Sequence, residues 1–293
     1  IVDHREVWLF GTNSVEVWYD AGNVNFPLER IQGAFNEIGC AAPYSIAKLD
    51  NGLFWLGSDA RGNGIVYRAN GYTGQRVSTH AIEFAIQSYA SISDAFAYTY
   101  QQEGHAFYVL TFPTGNATWV YDVATGAWHE RAAFYNGQFS RHASNCQMSF
   151  NNEIVVGDCA SGNLYAFDLD VYADNGGAQR WLRSWRAIPS GQNNLKRTAQ
   201  HSLQLDCETG VGLNTGQGSD PQAMLRWSDD GGHTWSNEHW ASMGAIGASG
   251  TRTFWRRLGM TDKLRDRVYE VSGSDPVKVA IIGAELSVSS TNA

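Results

Sequence analysis

Ala106-Phe107-Tyr108-Val109-Leu110, Pro113-Thr114-Gly115-Asn116 and Thr118-Trp119-Val120-Tyr121-Asp122 follow one another as an apolar strand, a turn and an aromatic strand. Pro, Gly and Asn supply the backbone angles of a tight reversal, and β-branched and aromatic residues suit a pleated surface. The flanks extend the unit. Residues 98–100 and 128–131 read as outer strands, joined through Gln102-Glu103-Gly104 and Ala124-Thr125-Gly126. Residues 98–131 therefore predict a four-stranded antiparallel sheet with short connections.

The same plan recurs. Glu6-Val7-Trp8-Leu9-Phe10 turns at Gly11-Thr12-Asn13 into Val15-Glu16-Val17-Trp18-Tyr19-Asp20. Leu53-Phe54-Trp55-Leu56 turns through residues 57–64 into Ile65-Val66-Tyr67-Arg68, and Glu153-Ile154-Val155-Val156 turns through 157–163 into Leu164-Tyr165-Ala166-Phe167-Asp168. Aligning Tyr19, Tyr67, Tyr121 and Phe167 gives intervals of 48, 54 and 46 residues. A period of this size, carried by hairpins, marks the blades of a β-propeller. One twisted sheet cannot cover its own two apolar faces, so blades stack and cover each other.

The composition agrees. The 293 residues include 31 Gly and 13% aromatics against 17% charged residues, which suits short strands and tight turns rather than a helical bundle. One helix is expected over 79–89, where Ile82, Ala85, Ile86 and Tyr89 share a face and Ser78 or Thr79 caps the start. At Ser190-Gly191-Gln192-Asn193-Asn194 the texture changes to antiparallel strands of a sandwich. The reading is all-β: propeller-type blades over 1–193, part of a larger propeller, then a β-sandwich-like module over 194–293. The opening Ile1-Val2-Asp3-His4 reads as entry into a strand, as in a piece of a longer protein.

The net charge of −8 argues against a protein that grips phosphate through displaced counterions. No apolar run approaches the 18 residues of a membrane helix, so membrane insertion is not expected. Cys40, Cys146, Cys159 and Cys207 show no metal-ligand spacing and read as small buried residues, with a Cys146–Cys159 disulfide across a hairpin as the alternative.

The sharpest motif is Ser228-Asp229-Asp230-Gly231-Gly232-His233-Thr234-Trp235, an Asp-box pattern through Ser228, Asp230, Gly232, Thr234 and Trp235. Asp230 is expected to accept backbone N–H bonds, Gly232 to allow positive φ, and Trp235 to anchor in the core. Asp boxes occur in sialidases, away from the catalytic centre, so the motif reads as a structural hairpin. Glycoside hydrolysis needs two carboxylates across a cleft, and nothing in the spacing of Glu83, Glu103, Asp158 and Glu208 brings two together. Residues 168–177 resemble half a calcium loop but lack its late Glu and read as a hairpin turn. The pairs Gly176-Gly177 and Gly231-Gly232 do not recur with the blade period, against a kelch-type scaffold. No catalytic, metal or cofactor site is expected.

Two stretches interleave Arg with Trp: Trp181, Arg183, Trp185 and Arg186, and Trp255, Arg256 and Arg257. Interface anchors are the first reading, ordinary surface the second and nucleic-acid contact the third. Strand alternation puts Trp on one face and Arg on the other.

The stretch from Val7 to Tyr19, Ile38-Gly39-Cys40-Ala41-Ala42-Pro43, Thr118–Asp122, the hairpin from Trp227 to Trp235 and Phe254-Trp255-Arg256-Arg257-Leu258-Gly259 resemble, in this order, the packaged-DNA stabilisation proteins of short-tailed phages. The resemblance implies a non-enzymatic tail hub or nozzle subunit, assembled in the bacterial host cytoplasm and resident in the virion tail. It implies a hexameric ring below portal and adaptor, contacts with other tail proteins, and double-stranded DNA as passing cargo only. The carbohydrate-active or carbohydrate-binding propeller is the alternative.

Overall fold

A computed structural model describes residues 1–60, 62–186, 197–261 and 267–290. It divides into two compact units, Ile1–Phe167 and Asp168–Ala293.

The first unit holds four antiparallel sheets in chain order. The first orders Val2–Asp3, Glu6–Phe10, Val15–Asp20 and Leu28–Asn36. The second centres on Gly52–Asp59 paired with Gly62–Asn70, flanked by Gly39–Cys40, Ala47–Leu49 and Thr73–Arg76. The third runs Phe96–Gln102, His105–Phe112, Ala117–Asp122, Ala127–Tyr135 and Gln138–Arg141. The fourth is Ser144–Phe150, Glu153–Asp158 and Leu164–Ala166. All four expected hairpins form. The third sheet has five strands rather than four, and the second hairpin's strands run through Asp59 and from Gly62, so its turn is tighter than 57–64.

Strand alternation explains how the sheets stack. In Gly52–Asp59, Leu53 joins Trp8, Val15 and Val17 of the first sheet. Phe54 and Leu56, on the other side, join Tyr108, Leu110 and Phe112 of the third. In His105–Phe112 the intervening Val109 meets Tyr98, Tyr100 and Val120, with Ile154 of the fourth sheet and Phe167, just past its last strand, packed against them. Each inner strand thus reads as a continuous apolar run because both faces are covered. Burying a Leu or Phe this way contributes about 1.5–3 kcal/mol of transfer free energy per side chain.

The turns use positive φ where the sequence supplies it: Glu103 (+49°) with Gly104 (+79°), Asn116 (+49°) and Gly126 (+67°). Gly115 serves differently. A Cβ there would sit 2.6 Å from the Tyr89 ring, so it permits close approach. The helix His80–Gln87 forms as expected, capped by the Thr79 hydroxyl, which accepts from the Ile82 N–H. Ile82 and Ile86 enter the core between the second and third sheets, and buried Glu83 is tied by Arg76 (2.6 Å) and the Ser78 hydroxyl (2.6 Å).

The second unit is a sandwich. One sheet orders Trp181–Arg186, Val268–Gly273, Gln222–Ser228 and His239–Ser242; the other orders Thr253–Arg256, Thr198–Cys207 and Ile281–Ser290. Leu203, Leu205 and Trp255 from one sheet meet Leu225, Tyr269 and Val271 from the other. The unit begins before Trp181–Arg186, which pairs along its length with Val268–Gly273. The division expected at 193/194 therefore falls instead near residue 167. The texture change at 190–194 lies outside the described residues. The strand at 181–186 sits well apart in sequence from its partner, so no local pattern assigns it to the later module.

All four cysteines are free, and only Cys40 is buried; Cys146 and Cys159 are exposed. The expectation of four buried thiols fails at Cys146 and Cys159, which lie on the open fourth sheet and its connecting loop, and is only partly met at Cys207, which is half-buried. The disulfide alternative is absent.

Candidate functional site

The charged and aromatic features singled out in the sequence lie mostly in the second unit. Residues 229–238 connect Gln222–Ser228 to His239–Ser242, so the Asp-box pattern spans a hairpin connection. Asp230 Oδ1 accepts from the Ser228 hydroxyl (2.6 Å) and from the N–H groups of His233 (3.0 Å) and Thr234 (2.8 Å). Its Oδ2 accepts from the Thr234 hydroxyl at 2.7 Å. These donors, Ser228 and Thr234 foremost, hold the Asp230 carboxyl far below the usual carboxylate range. Ser228 is itself buried and its Oγ accepts from the Gly232 N–H at 2.8 Å, with Gly232 at φ +104°. Trp235 departs from expectation. It is half-buried rather than in the core, and Arg226 stacks on it with Cζ 4.6 Å from the ring centroid. It follows the loop, outside either strand, so the alternation that buries Trp255 does not apply to it.

Beside the loop, Arg267 is 1% exposed. Its guanidinium grips Asp229 through two bonds of 2.6 and 2.7 Å and donates to the carbonyls of Leu258 (2.7 Å) and Met260 (3.2 Å). A buried charge persists only when paired and hydrogen-bonded in this way. Sequence reading missed this clamp, since Asp229 and Arg267 lie on distant segments.

The first Arg/Trp stretch does not alternate as expected. Trp181, Arg183 and Trp185 occupy one face, two residues apart, so Arg183 lies between the two indoles in sequence. Trp181 packs closely over Gly273, where a Cβ would fall 2.6 Å from the ring, and Trp185 lies 6.1 Å from the Tyr269 ring. Arg183 and Trp185 line a cavity of about 340 Å³ with Leu205, Val271 and Ile281. Arg183 and Arg186 are exposed.

The second stretch does alternate. Trp255 is buried, with its indole N–H donating to the His239 carbonyl at 2.8 Å, so it belongs to the core and is not a surface anchor. Phe254 and Arg256 face outward, with Cζ 4.9 Å from the ring centroid. Arg257 sits at φ +60°, its N–H bonded to the His201 carbonyl at 2.7 Å. Together with Ala199, His201 and Met260 these residues line an open groove of about 650 Å³.

The four carboxylates considered for hydrolysis serve separate local ends. Glu83 pairs with Arg76, Asp158 accepts from the Ala160 N–H and the Ser161 hydroxyl, Glu208 pairs with Lys278 at 2.9 Å, and Glu103 lies in a hairpin turn. Neither of these two cavities is lined by an Asp or Glu. No metal-holding cluster occurs among the described residues, and residues 173–178 form a two-stranded hairpin, Ala173–Asp174 with Gly177–Ala178, in place of a calcium loop.

No curated protein matches the chain. Among solved structures, an exo-β-1,3-galactanase from Phanerochaete chrysosporium is similar at 13% identity and a TM-score of 0.19, over 98% of this chain and 68% of that one. A glycoside hydrolase family 43 arabinoxylan arabinofuranohydrolase from Bacillus subtilis is similar at 11% identity and a TM-score of 0.17, over 98% and 95%. Likeness at these values carries no argument about fold or activity. The family models are decisive: residues 1–172 match the bacteriophage P22 Gp10 β-propeller and residues 181–289 the bacteriophage P22 Gp10 β-sandwich, so the chain belongs to the bacteriophage P22 Gp10 family, a family of phage structural proteins.

Proposed function

We propose that this chain is a non-enzymatic subunit of an oligomeric tail hub or nozzle that closes or extends the DNA exit channel after packaging. The observation that carries this reading is the family match over both units. In it, copies form a hexameric ring, contact portal, adaptor and other tail proteins, and meet double-stranded DNA only as passing cargo. Assembly takes place in the host cytoplasm and the product resides in the virion tail. The blade array supports a larger propeller. Leu9 and Phe35 on the outer face of the first sheet, and Met148, Phe150 and Leu164 on that of the fourth, are exposed apolar side chains where a further blade would pack. The acidic net charge suits a duct through which DNA slides without adhering.

The carbohydrate reading has no comparable support, because the candidate carboxylates do not converge and the Asp230 carboxylate is engaged by its own loop. Sedimentation of the full-length protein, alone and with its adaptor, tests the proposal. Discrete oligomers that join the adaptor are expected. A protein that stays monomeric and ignores the adaptor, or one that turns over fluorogenic glycosides, would overturn it.

A further inference from the structure

The second unit presents two charged surfaces whose groups make no ion pair among the described residues. One is the groove between residues 199–202 and 254–260. Arg180, Arg226 and Arg267 of the same unit each meet a carboxylate. Arg256 and Arg257 make no ion pair among the described residues, and no acid lines the groove. Arg257 lies in the left-handed region at φ +60°, with its backbone N–H tied to the His201 carbonyl at 2.7 Å, which fixes the root of its side chain at the groove. Phe254 and Met260 give the groove apolar walls beside its two cations. Arg, aromatic and Met side chains together are the composition of a protein interface core.

The other surface is the turn Asp168-Leu169-Asp170-Val171, in which all four residues are exposed, Leu169 at 56% and Val171 at 55%. The Asp168 carboxylate accepts the Asp170 N–H at 2.8 Å, and neither acid makes an ion pair among the described residues. Asp170 lies in the electrostatic neighbourhood of Lys278, whose main partner is Glu208. The turn therefore sits near the Cys207 end of Thr198–Cys207, while the groove borders that strand's first residues. At about 3.3 Å per residue, Ser202 and Glu208 are about 20 Å apart.

We propose that the groove is a docking site for the Asp168–Val171 turn of a second copy of this chain. The two carboxylates answer Arg256 and Arg257, and Leu169 and Val171 cover Phe254 and Met260. Patch and complement are different surfaces at opposite ends of one strand, so the contact is head-to-tail and generates a ring when the rotation closes. Nucleic acid is the disfavoured occupant: the chain carries −8, which repels a polyphosphate, and the groove offers apolar walls as well as cations.

The inference rests on the oligomeric reading above, and the test separates the two. Sedimentation velocity on the full chain compares wild type, R256E/R257E, D168K/D170K and an equimolar mixture of the two variants. All four substituted side chains lie at the surface or groove rim, and unchanged thermal melting checks folding. Each variant alone should associate about tenfold or more weakly, since like charges then face each other. The mixture should recover wild-type association, because every groove then finds a turn of opposite sign. Oligomers unaffected by either variant would overturn the docking site and leave the tail reading standing. A wild type that never associates, with or without adaptor, would remove both. Salt-sensitive binding of a labelled DNA duplex that is lost in R256E/R257E but kept in D168K/D170K would assign the groove to nucleic acid and overturn the proposal.

Discussion

The third and fourth sheets are written in the same hairpin language yet fold into different environments. In the third, His105–Phe112 sends Tyr108, Leu110 and Phe112 to one neighbour and Val109 to the other, all fully buried. In the fourth, Ile154, Val156 and Phe167 point back toward the third sheet, while Met148, Phe150 and Leu164 face outward. Sequence alternation specifies a strand with two apolar faces in both cases. What differs is whether a neighbour exists to use the second face.

That contrast sets the largest expected effect. Leu110→Ala removes a side chain fully enclosed between two sheets and should cost about 2–5 kcal/mol. Leu164→Ala removes a side chain 71% exposed and should stay within about 0.5 kcal/mol in the isolated chain. Urea unfolding of both variants measures the difference. Equal losses would mean that the fourth sheet's outer face is covered in solution.

The seam between these two sheets carries the next effect. Arg131 lies over the rings of Tyr100, Phe107 and Phe167, with Cζ 5.4, 5.4 and 5.8 Å from their centroids. Nearby, the Ser144 hydroxyl bonds both His142 Nδ1 (2.6 Å) and the Tyr98 hydroxyl (2.5 Å). Burial first, and the Arg131 charge second, pull the His142 pKa from 6.5 down to about 4. Burial drives the Tyr98 phenol the other way, up to about 12. The fold prefers neutral His142, so its contribution is complete above pH 6.5 and is lost as pH falls from 6.5 towards 4. The loss is about 3 kcal/mol at the lower limit. Denaturant midpoints at pH 7 and pH 4.5 should diverge in the wild type and converge in His142→Gln. If the variant keeps the wild-type slope over this window, the titrating group lies elsewhere.

Much of this was legible in the chain, and the exceptions have physical causes. The four hairpins were readable because each closes within a few residues, where turn chemistry and strand period act locally. The helix at His80–Gln87 was readable from its stripe and its Thr79 cap. The strand Trp181–Arg186 was misplaced because its partner is some eighty residues downstream, and pairing at that distance leaves no local signature. The groove was half visible. Arg256 and Arg257 stood out in the sequence, but that they make no ion pair among the described residues, while Asp229, Glu238 and Glu270 pair with other arginines, is visible only in the fold. Trp255 and Trp235 carry the same letter and take opposite roles: one lies within a strand and turns inward, the other follows a turn and lies under Arg226.

The smallest effect separates the two sheets at their turns. Gly104 lies in the third sheet's first hairpin at φ +79°, beside Glu103 at +49°, and a Cβ there would meet nothing within 4 Å. Space is therefore not its constraint; the left-handed backbone is. Gly104→Val places a β-branched side chain where L-residues are strained and should cost about 1–2 kcal/mol. Gly162, in the fourth sheet's loop between Glu153–Asp158 and Leu164–Ala166, has open space and no positive φ. Gly162→Val should change stability by less than about 0.5 kcal/mol. Measured together by thermal melting, the pair distinguishes a glycine needed for backbone conformation from one that merely occupies a loop. Equal shifts would show that the third sheet's hairpin can exchange its turn for a conformation that accepts a side chain.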